Sequence, residues 1–110
     1  MLPSKKRLNR QLFEQFLSFP QKKTVFNNVG TLKYKNAEEP RFSVVISSKV
    51  EKKAVFRNLL KRRIYSVLLP YIKESNPKIE GVFYISKNAS NLSFNDLRKS
   101  IYELLKKTTQ

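Results

Sequence analysis

The stretch KKAVFRNLLKRRIYSVL, residues 52–68, combines a helical repeat of apolar residues with a dense set of cations. At about 100° per residue, the apolar side chains of this segment and its continuation fall within one arc of about 80°: Phe56, Leu60, Ile64, Val67 and Tyr71. An arc of about 140° centred almost opposite contains Arg57, Asn58, Lys61, Arg62 and Tyr65. We therefore predict an amphipathic helix from about residue 52 to Leu69, ended or kinked by Pro70, with its apolar arc on the core.

The polar arc has no acidic partner, because no Asp or Glu occurs between Lys52 and Ile72. A solvated face explains most charged helix stripes, and this interpretation stays open. Two features favour a surface for anions instead. The cations repel one another without any ion pair four residues away. Asn58 has poor helix propensity, but its amide can donate to a phosphate or a base.

Capping residues predict two further helices. NRQLFEQFLSF, residues 9–19, begins with Asn9 as a predicted N-cap and stops before Pro20. SFNDLRKSIYELLKKT, residues 93–108, has Ser93 as its predicted N-cap and Asp96 three positions on, close to a capping box. Both segments carry one apolar face, as expected of helices that pack on a sheet.

Three segments between these helices are rich in β-branched and aromatic residues. TVFNNVGTLKYKN, residues 24–36, predicts extended structure broken by a turn, and RFSVVISS, residues 41–48, predicts a strand. IEGVFYIS, residues 79–86, is nearly all apolar, which is typical of a strand covered on both faces. The order α-β-β-β-α-β-α predicts an α+β fold with a mainly antiparallel sheet of about four strands.

The composition points to a polyanionic partner. The 110 residues include 23 Lys and Arg against 8 Asp and Glu, a net charge of +15, and such a field attracts phosphates. Nucleic acid is the favoured partner over an anionic membrane surface, since the apolar faces are needed for the core. We expect one soluble, cytoplasmic domain over residues 1–110, with a basic arm at residues 1–7 and no apolar run long enough to span a bilayer.

The residue types argue against catalysis by the chain itself. There is no cysteine and no histidine, which excludes disulfides, thiolate chemistry and a histidine-based nuclease. A two-metal nuclease needs several converging carboxylates, and the single adjacent pair, Glu38 and Glu39, lies in a predicted loop beside Pro40. We predict no catalytic residue and no metal ligand on the protein.

SSKVEKKAVFRNLLKRRI, residues 47–64, resembles the signature of the bacterial ribonuclease P protein subunit, roughly S-K-K-V-G-K-A-V-x-R-N-R-x-K-R. The matching positions are Ser47, Lys49, Val50, Lys53, Ala54, Val55, Arg57, Asn58, Lys61 and Arg62. The flanks agree, since the first helix carries aromatic residues and the last is introduced by LSFNDL and finishes LLKK. The resemblance covers nearly the whole chain.

The chain departs from the family pattern at two places. Leu59 stands where the family has the second arginine of R-N-R, and Arg63, one turn on, is a candidate substitute. The turn VEKKA, residues 50–54, has no glycine and one extra residue, which leaves its backbone conformation open.

The resemblance implies a fold and a function. The fold is a two-layer α/β sandwich with a mixed sheet, like the second domain of ribosomal protein S5, with a left-handed β-α-β crossover. In the family, a catalytic RNA cleaves precursor tRNA at its 5′ end with magnesium ions, Mg²⁺ being bound mainly by that RNA. The protein binds the catalytic RNA and grips the single-stranded 5′ leader between the first helix and the sheet. The expected partners are therefore the ribonuclease P RNA and precursor tRNA, with no small-molecule substrate and a monomeric isolated protein.

By this resemblance, two sets of residues carry the function. The set expected to contact the catalytic RNA is Arg57, Asn58, Lys61, Arg62, Arg63, Lys49, Lys53 and Ser47. The set expected to line the leader cleft is Phe13, Leu17, Tyr34 and Lys33. The alternative is a basic structural RNA-binding protein, similar to a small ribosomal protein, with no role in cleavage.

Overall fold

The computed structural model describes residues 6–109. Its elements in chain order are α1 (Arg10–Ser18), β1 (Lys23–Asn27), β2 (Gly30–Asn36), β3 (Arg41–Val45), α2 (Ala54–Ser75), β4 (Ile79–Ile85), a short 3-10 helix (Lys87–Asn91) and α3 (Phe94–Lys107). This order confirms the predicted α-β-β-β-α-β-α arrangement. Residues 1–5 of the predicted basic arm lie outside the described residues, and the single domain over residues 1–110 stays a prediction. None of the helices in the described range is long and apolar enough to cross a membrane.

The four strands form one mixed sheet in the order β1-β2-β4-β3. β2 pairs antiparallel with both β1 and β4, whereas β3 lies parallel to β4. Parallel neighbours need a long connection, and α2 supplies it between β3 and β4. The sheet is therefore mainly antiparallel, as predicted from the residues, and mixed, as the resemblance implies.

The β1–β2 turn depends on Asn27 and Gly30. The Asn27 Oδ1 accepts a hydrogen bond from the Val29 N–H at 3.0 Å, which closes the turn. Gly30 has a φ of 156° and lies against the β4 backbone, so that a Cβ at this position would overlap the Tyr84 carbonyl oxygen. Only glycine fits this start of β2 without a shift of the neighbouring strand.

The two faces of the sheet are covered unequally. Alternation along β2 turns Leu32 toward α2 and α3 and exposes Lys33 on the opposite face. The larger core lies between the sheet and these two helices. On the opposite face a smaller apolar cluster, formed by Leu8, Phe16 and Val82, holds α1 against the sheet. β4 is buried on both sides, as its apolar sequence predicted.

The predicted caps of α1 and α3 are confirmed. The Asn9 side chain accepts a hydrogen bond from the Leu12 N–H at 2.8 Å. The Ser93 hydroxyl oxygen accepts one from the Asp96 N–H at 3.2 Å. Each bond satisfies an N–H that has no partner within its own helix.

We predicted that α2 ends or is kinked at Pro70. The helix does not end there, because it continues through Pro70 to Ser75 and is capped by Asn76, whose φ is 43°. A kink at Pro70 stays a prediction. The missing N–H of Pro70 leaves the Ser66 carbonyl without its helical partner. Both residues are exposed, so water can solvate that carbonyl. Beyond Pro70, burial of Ile72 in the core stabilises the last turns.

The core side of α2 is wider than predicted and rotated. Its buried residues span about 160° rather than about 80° and comprise Leu60, Ile64, Tyr65, Val67, Leu68 and Ile72. Tyr65, predicted on the outward face, is buried, whereas Phe56, predicted in the core, is 47% exposed. The helix packs on the sheet and also on α3, where the Tyr71 and Tyr102 rings lie 5.8 Å apart. Contact with two neighbours requires a broader apolar face than contact with the sheet alone.

Candidate nucleic-acid interface

The outward side of α2 brings the predicted polar residues together. We call Arg57, Asn58, Lys61 and Arg62 the cationic stripe. Three of its members surround a shallow depression of about 320 Å³ with Tyr65 as the fourth lining residue. Asn58 and Arg62 are exposed and Lys61 is half-buried. The stripe therefore combines an amide, an ammonium group and a guanidinium around one concave surface, which suits contacts to phosphate or sugar.

Arg57 has a structural role that the sequence did not indicate. Its Nη1 donates to the carbonyl oxygens of Glu51 at 2.8 Å and Lys52 at 2.9 Å. These bonds hold the residues before α2 against the first turn of the helix. The expectation that Arg57 simply points outward is corrected, since its guanidinium joins the stripe to the preceding turn.

The glycine-free turn before α2 has an ordinary backbone. The N–H groups of Val50 and Glu51 both donate to the Ser47 carbonyl oxygen, at 3.0 and 3.2 Å. Among residues 6–109 only Asn76 and Gly30 have positive φ, so this turn requires no glycine. The side chains at the predicted contact positions Ser47, Lys49 and Lys53 are all exposed.

Arg63 lies beside Leu59, the residue that departs from the family pattern. Both side chains line one small cavity, distinct from the depression at Lys61 and Arg62. Arg63 therefore borders the position where the family has an arginine. That Arg63 replaces the family arginine stays a prediction.

Arg7 and Tyr65 extend the site toward the sheet edge. Arg7 forms a parallel bridge with Phe42, and the Leu8 N–H donates to the Phe42 carbonyl at 3.3 Å, which covers the edge of β3. Burial raises the pKa of Tyr65, and the charge of Arg7 and hydrogen bonds from Val44 and Ser43 oppose that rise. The Tyr65 side chain stays protonated at neutral pH. Sequence reasoning placed Arg7 only in a basic arm, because the pairing of such a short segment with a strand edge leaves no periodic signal.

A second surface lies between α1 and the exposed part of the sheet. We call Phe13, Leu17, Lys33 and Tyr84 the α1 cleft. Phe13 and Tyr84 are half-buried against the smaller apolar cluster, and Leu17 is 47% exposed. The Lys33 Nζ lies 5.7 Å from the centroid of the Tyr84 ring. The cleft thus offers aromatic and apolar surface beside a cation, the combination used to bind single-stranded nucleic acid.

Two further lysines reinforce this surface. Lys22 donates to the Leu17 carbonyl at 2.8 Å, and its Nζ lies 5.4 Å from the Phe16 ring centroid. The Lys35 Nζ lies 5.0 Å from the Phe19 ring centroid. Neither lysine was singled out from the sequence, because the cation–aromatic contacts depend on how α1 lies across the strands.

The expectation that Tyr34 lines the leader cleft is wrong in its geometry. Tyr34 is 5% exposed and belongs to the core between the sheet and the helices α2 and α3. The alternation that exposes Lys33 turns Tyr34 to the opposite face. Tyr84 takes the place beside Lys33, and burial raises its pKa, so it too stays protonated at neutral pH. Side chains alternate between the two faces along IEGVFYI, so Tyr84 lies on the face opposite to Phe83. This alternation is the sequence signal that could have identified Tyr84.

No carboxylate of the described region lies within 4 Å of a cation of the cationic stripe. The ion pairs within residues 6–109 are Arg10–Glu14, Lys35–Glu80, Arg41–Glu39 and Lys107–Glu103. None of them involves a member of the stripe. No group of three His, Cys, Asp or Glu comes together within the same described range. The positive charge of α2 is left for an external anion.

The fold and the charge define a small basic α+β protein with a β-α-β crossover. A family model described as Ribonuclease P matches residues 2–109. The ribonuclease P protein component of Listeria innocua is 31% identical over 97 residues, which cover 88% of this chain and 78% of that protein. The chain belongs to the ribonuclease P protein family, the protein component of a tRNA-processing enzyme.

Solved structures support the same fold. The RNase P protein of Staphylococcus aureus superposes with a TM-score of 0.79 at 17% identity, covering 96% of each chain. The RNase P protein of Thermotoga maritima gives 0.78 at 22% identity, covering 92% of this chain and 96% of that one. The predicted fold class and family are therefore confirmed.

Proposed function

We propose that the chain binds the catalytic RNA of ribonuclease P through the cationic stripe and the 5′ leader of precursor tRNA in the α1 cleft. Through these contacts it assists the magnesium-dependent removal of the leader, which the RNA carries out. The observation that carries the proposal is the concave surface of Asn58, Lys61 and Arg62, with no carboxylate of residues 6–109 within 4 Å of a stripe cation.

The two surfaces suit two kinds of RNA. The stripe lies on a rigid helix, and its guanidinium and ammonium groups match the phosphates of a folded RNA. The α1 cleft has the aromatic ring and cation that a flexible single strand needs for stacking and neutralisation. The sequence has no histidine or cysteine, and residues 6–109 bring no three carboxylates together, so we assign cleavage and Mg²⁺ binding to the RNA. The isolated protein would be a cytoplasmic monomer with no small-molecule substrate.

RNA affinity tests the stripe directly. The double change Lys61→Gln and Arg62→Gln removes two charges from the stripe, and Arg98→Gln with Lys99→Gln removes two exposed charges from α3 as a matched control. If about six phosphates are neutralised, log K falls with log salt at a slope of roughly −4 to −5. The stripe variant should flatten this slope by about two, and the control should flatten it less. Equal effects would mean that only total charge matters.

A structural RNA-binding role without cleavage is the alternative function. The charge and the stripe fit it equally well, but it gives no reason for the α1 cleft. A holoenzyme whose affinity for precursor tRNA does not depend on the leader or on the cleft would favour this alternative.

A further inference from the structure

A small cavity lies where α2 begins, apart from the cationic stripe and the α1 cleft. It has a volume of about 110 Å³ and is formed by the start of α2, the preceding turn and the 3-10 helix. Its lining residues are Glu51, Phe56, Leu59, Leu60, Arg63 and Ser90. The apolar residues at its mouth are unusual for a surface helix, since Phe56 is 47% and Leu59 41% exposed.

The dimensions of the cavity suit one aromatic ring. A cavity of about 150 Å³ lined by apolar side chains accommodates benzene, and this one is slightly smaller but open to solvent. Phe56, Leu59 and buried Leu60 supply its apolar lining. A planar six-membered ring can therefore stack here, whereas a bicyclic ring would extend out of the cavity.

Glu51 supplies a carboxylate on a fixed backbone. Its carbonyl is held by Arg57, and its N–H donates to the Ser47 carbonyl at 3.2 Å, so its backbone is fixed on both sides. Within residues 6–109 its carboxylate forms neither an ion pair nor a hydrogen bond. A half-buried carboxylate beside a stacking surface is an acceptor for an N–H donor on the ring.

The surroundings indicate a ligand that carries phosphate. Arg63 lines the cavity, Lys52 and Lys53 follow Glu51 in the sequence, and no acidic residue occurs between Glu51 and Glu74. A neutral apolar partner would gain nothing from these cations. A nucleotide gains binding free energy from both of its parts, because its base ring enters the apolar cavity and its phosphates contact the cations.

We propose that this cavity binds an unpaired cytosine of an RNA strand. The ring stacks on Phe56 and Leu59, and the exocyclic N4 amino group donates to the Glu51 carboxylate. Uracil presents a carbonyl oxygen at the same position, which the carboxylate repels, so that the site distinguishes the two pyrimidines. The proposal deepens the proposed function, since it adds a base-specific contact to a protein that we place on RNA.

Short oligoribonucleotides test the site with the full-length protein alone. Fluorescence anisotropy compares UUCUU with UUUUU, and we expect the cytosine-containing strand to bind about fivefold or more tightly. Glu51→Gln should bring the ratio of the two affinities close to one, because an amide can donate to uracil as well as accept from cytosine. Glu74→Gln, the same change at an exposed residue near the end of α2, should leave the ratio unchanged.

The outcomes separate this proposal from the preceding one. Equal affinity of the unchanged protein for both strands, or an unchanged ratio in Glu51→Gln, would overturn the cytosine site. A third outcome is equal affinity for both strands with a molecular mass that rises with protein concentration, unless the chain carries Leu59→Glu. This outcome would assign the apolar surface to a second copy of the chain and would also overturn the cytosine site. Failure of the stripe proposal would instead appear as equal effects of the Lys61→Gln/Arg62→Gln and Arg98→Gln/Lys99→Gln changes on catalytic RNA binding, with the cytosine preference intact.

Discussion

Lys33 on β2 and Tyr84 on β4 form a cation–π pair across two antiparallel strands, with the Lys33 Nζ 5.7 Å from the ring centroid. The two residues are diagonal neighbours, because Thr31 is the direct partner of Tyr84. The pair lies on the sheet face that α1 only partly covers. It therefore places an aromatic ring and a positive charge side by side in the α1 cleft, where a single strand can stack and be neutralised.

Replacing Tyr84 by leucine should weaken the binding of leader-bearing substrate selectively. The change keeps apolar volume against the small cluster but removes the ring, and one stacked base contributes about 1 to 3 kcal/mol. We expect an increase in Kd of roughly 5- to 150-fold for precursor tRNA bound by the reconstituted holoenzyme. Mature tRNA without a leader should be unaffected, and Tyr102→Leu on α3 is the matched control. An equal loss for both RNAs would contradict a leader contact.

Replacing Tyr34 by alanine should affect stability rather than leader binding directly. Truncation of a large buried aromatic side chain costs about 3 to 5 kcal/mol, and Tyr34 lies in the main core. Lys33→Ala, at the adjacent exposed position, should change the free energy of unfolding by about 0.5 kcal/mol or less. Urea denaturation measures both. Comparable stability of the two variants would show that the faces of β2 are assigned the wrong way round.

Arg57 and Arg62 should differ in their effect on folding although both belong to the cationic stripe. Arg57→Ala removes two hydrogen bonds to backbone carbonyls, and we expect a loss of about 1 to 3 kcal/mol in the free energy of unfolding. Arg62 is exposed, so Arg62→Ala should stay within about 0.5 kcal/mol. Thermal and chemical denaturation of the two variants give the comparison. An equally small loss in both would contradict the anchoring role of Arg57.

Gly30→Ala should destabilise the β1–β2 turn. The added Cβ would overlap the Tyr84 carbonyl oxygen, and the φ of 156° is unfavourable for alanine. We expect a loss of about 2 kcal/mol or more, measured by urea denaturation. Thr31→Ala, one residue on in the same strand, serves as the control. A Gly30→Ala variant as stable as Thr31→Ala would mean that the strand adjusts at little cost.

The sequence predicted those features that depend on local chemistry. The caps at Asn9 and Ser93, the element order and the buried character of β4 follow from residue types and short spacings. The strand order β1-β2-β4-β3 did not follow, because pairing between distant strands is decided by packing of the whole domain. The continuation of α2 through Pro70 depended on tertiary burial of Ile72, which outweighs the local cost of proline.

Only part of the candidate site was predicted, namely the part that depends on local spacing in the sequence. Asn58, Lys61 and Arg62 come together because they share one helix face. Helical periodicity can be recognised from the sequence, so this group was predicted. Tyr34 was assigned to the wrong face of the sheet, since partial alternation does not say which side α1 covers. Tyr65 was placed outward because one apolar arc does not show that α2 also lies against β3, where Val44 and Ser43 adjoin the Tyr65 side chain.

Precursor tRNA cleavage at limiting magnesium tests whether the protein assists the catalytic RNA through the cationic stripe. The cognate ribonuclease P RNA is assayed across a magnesium titration alone, with the protein, and with the variant carrying Lys61→Gln and Arg62→Gln. We predict that the protein alone cleaves nothing, that it lowers the magnesium concentration required by the RNA, and that the stripe variant loses much of this effect. Equal cleavage with and without the protein at low magnesium would contradict the account.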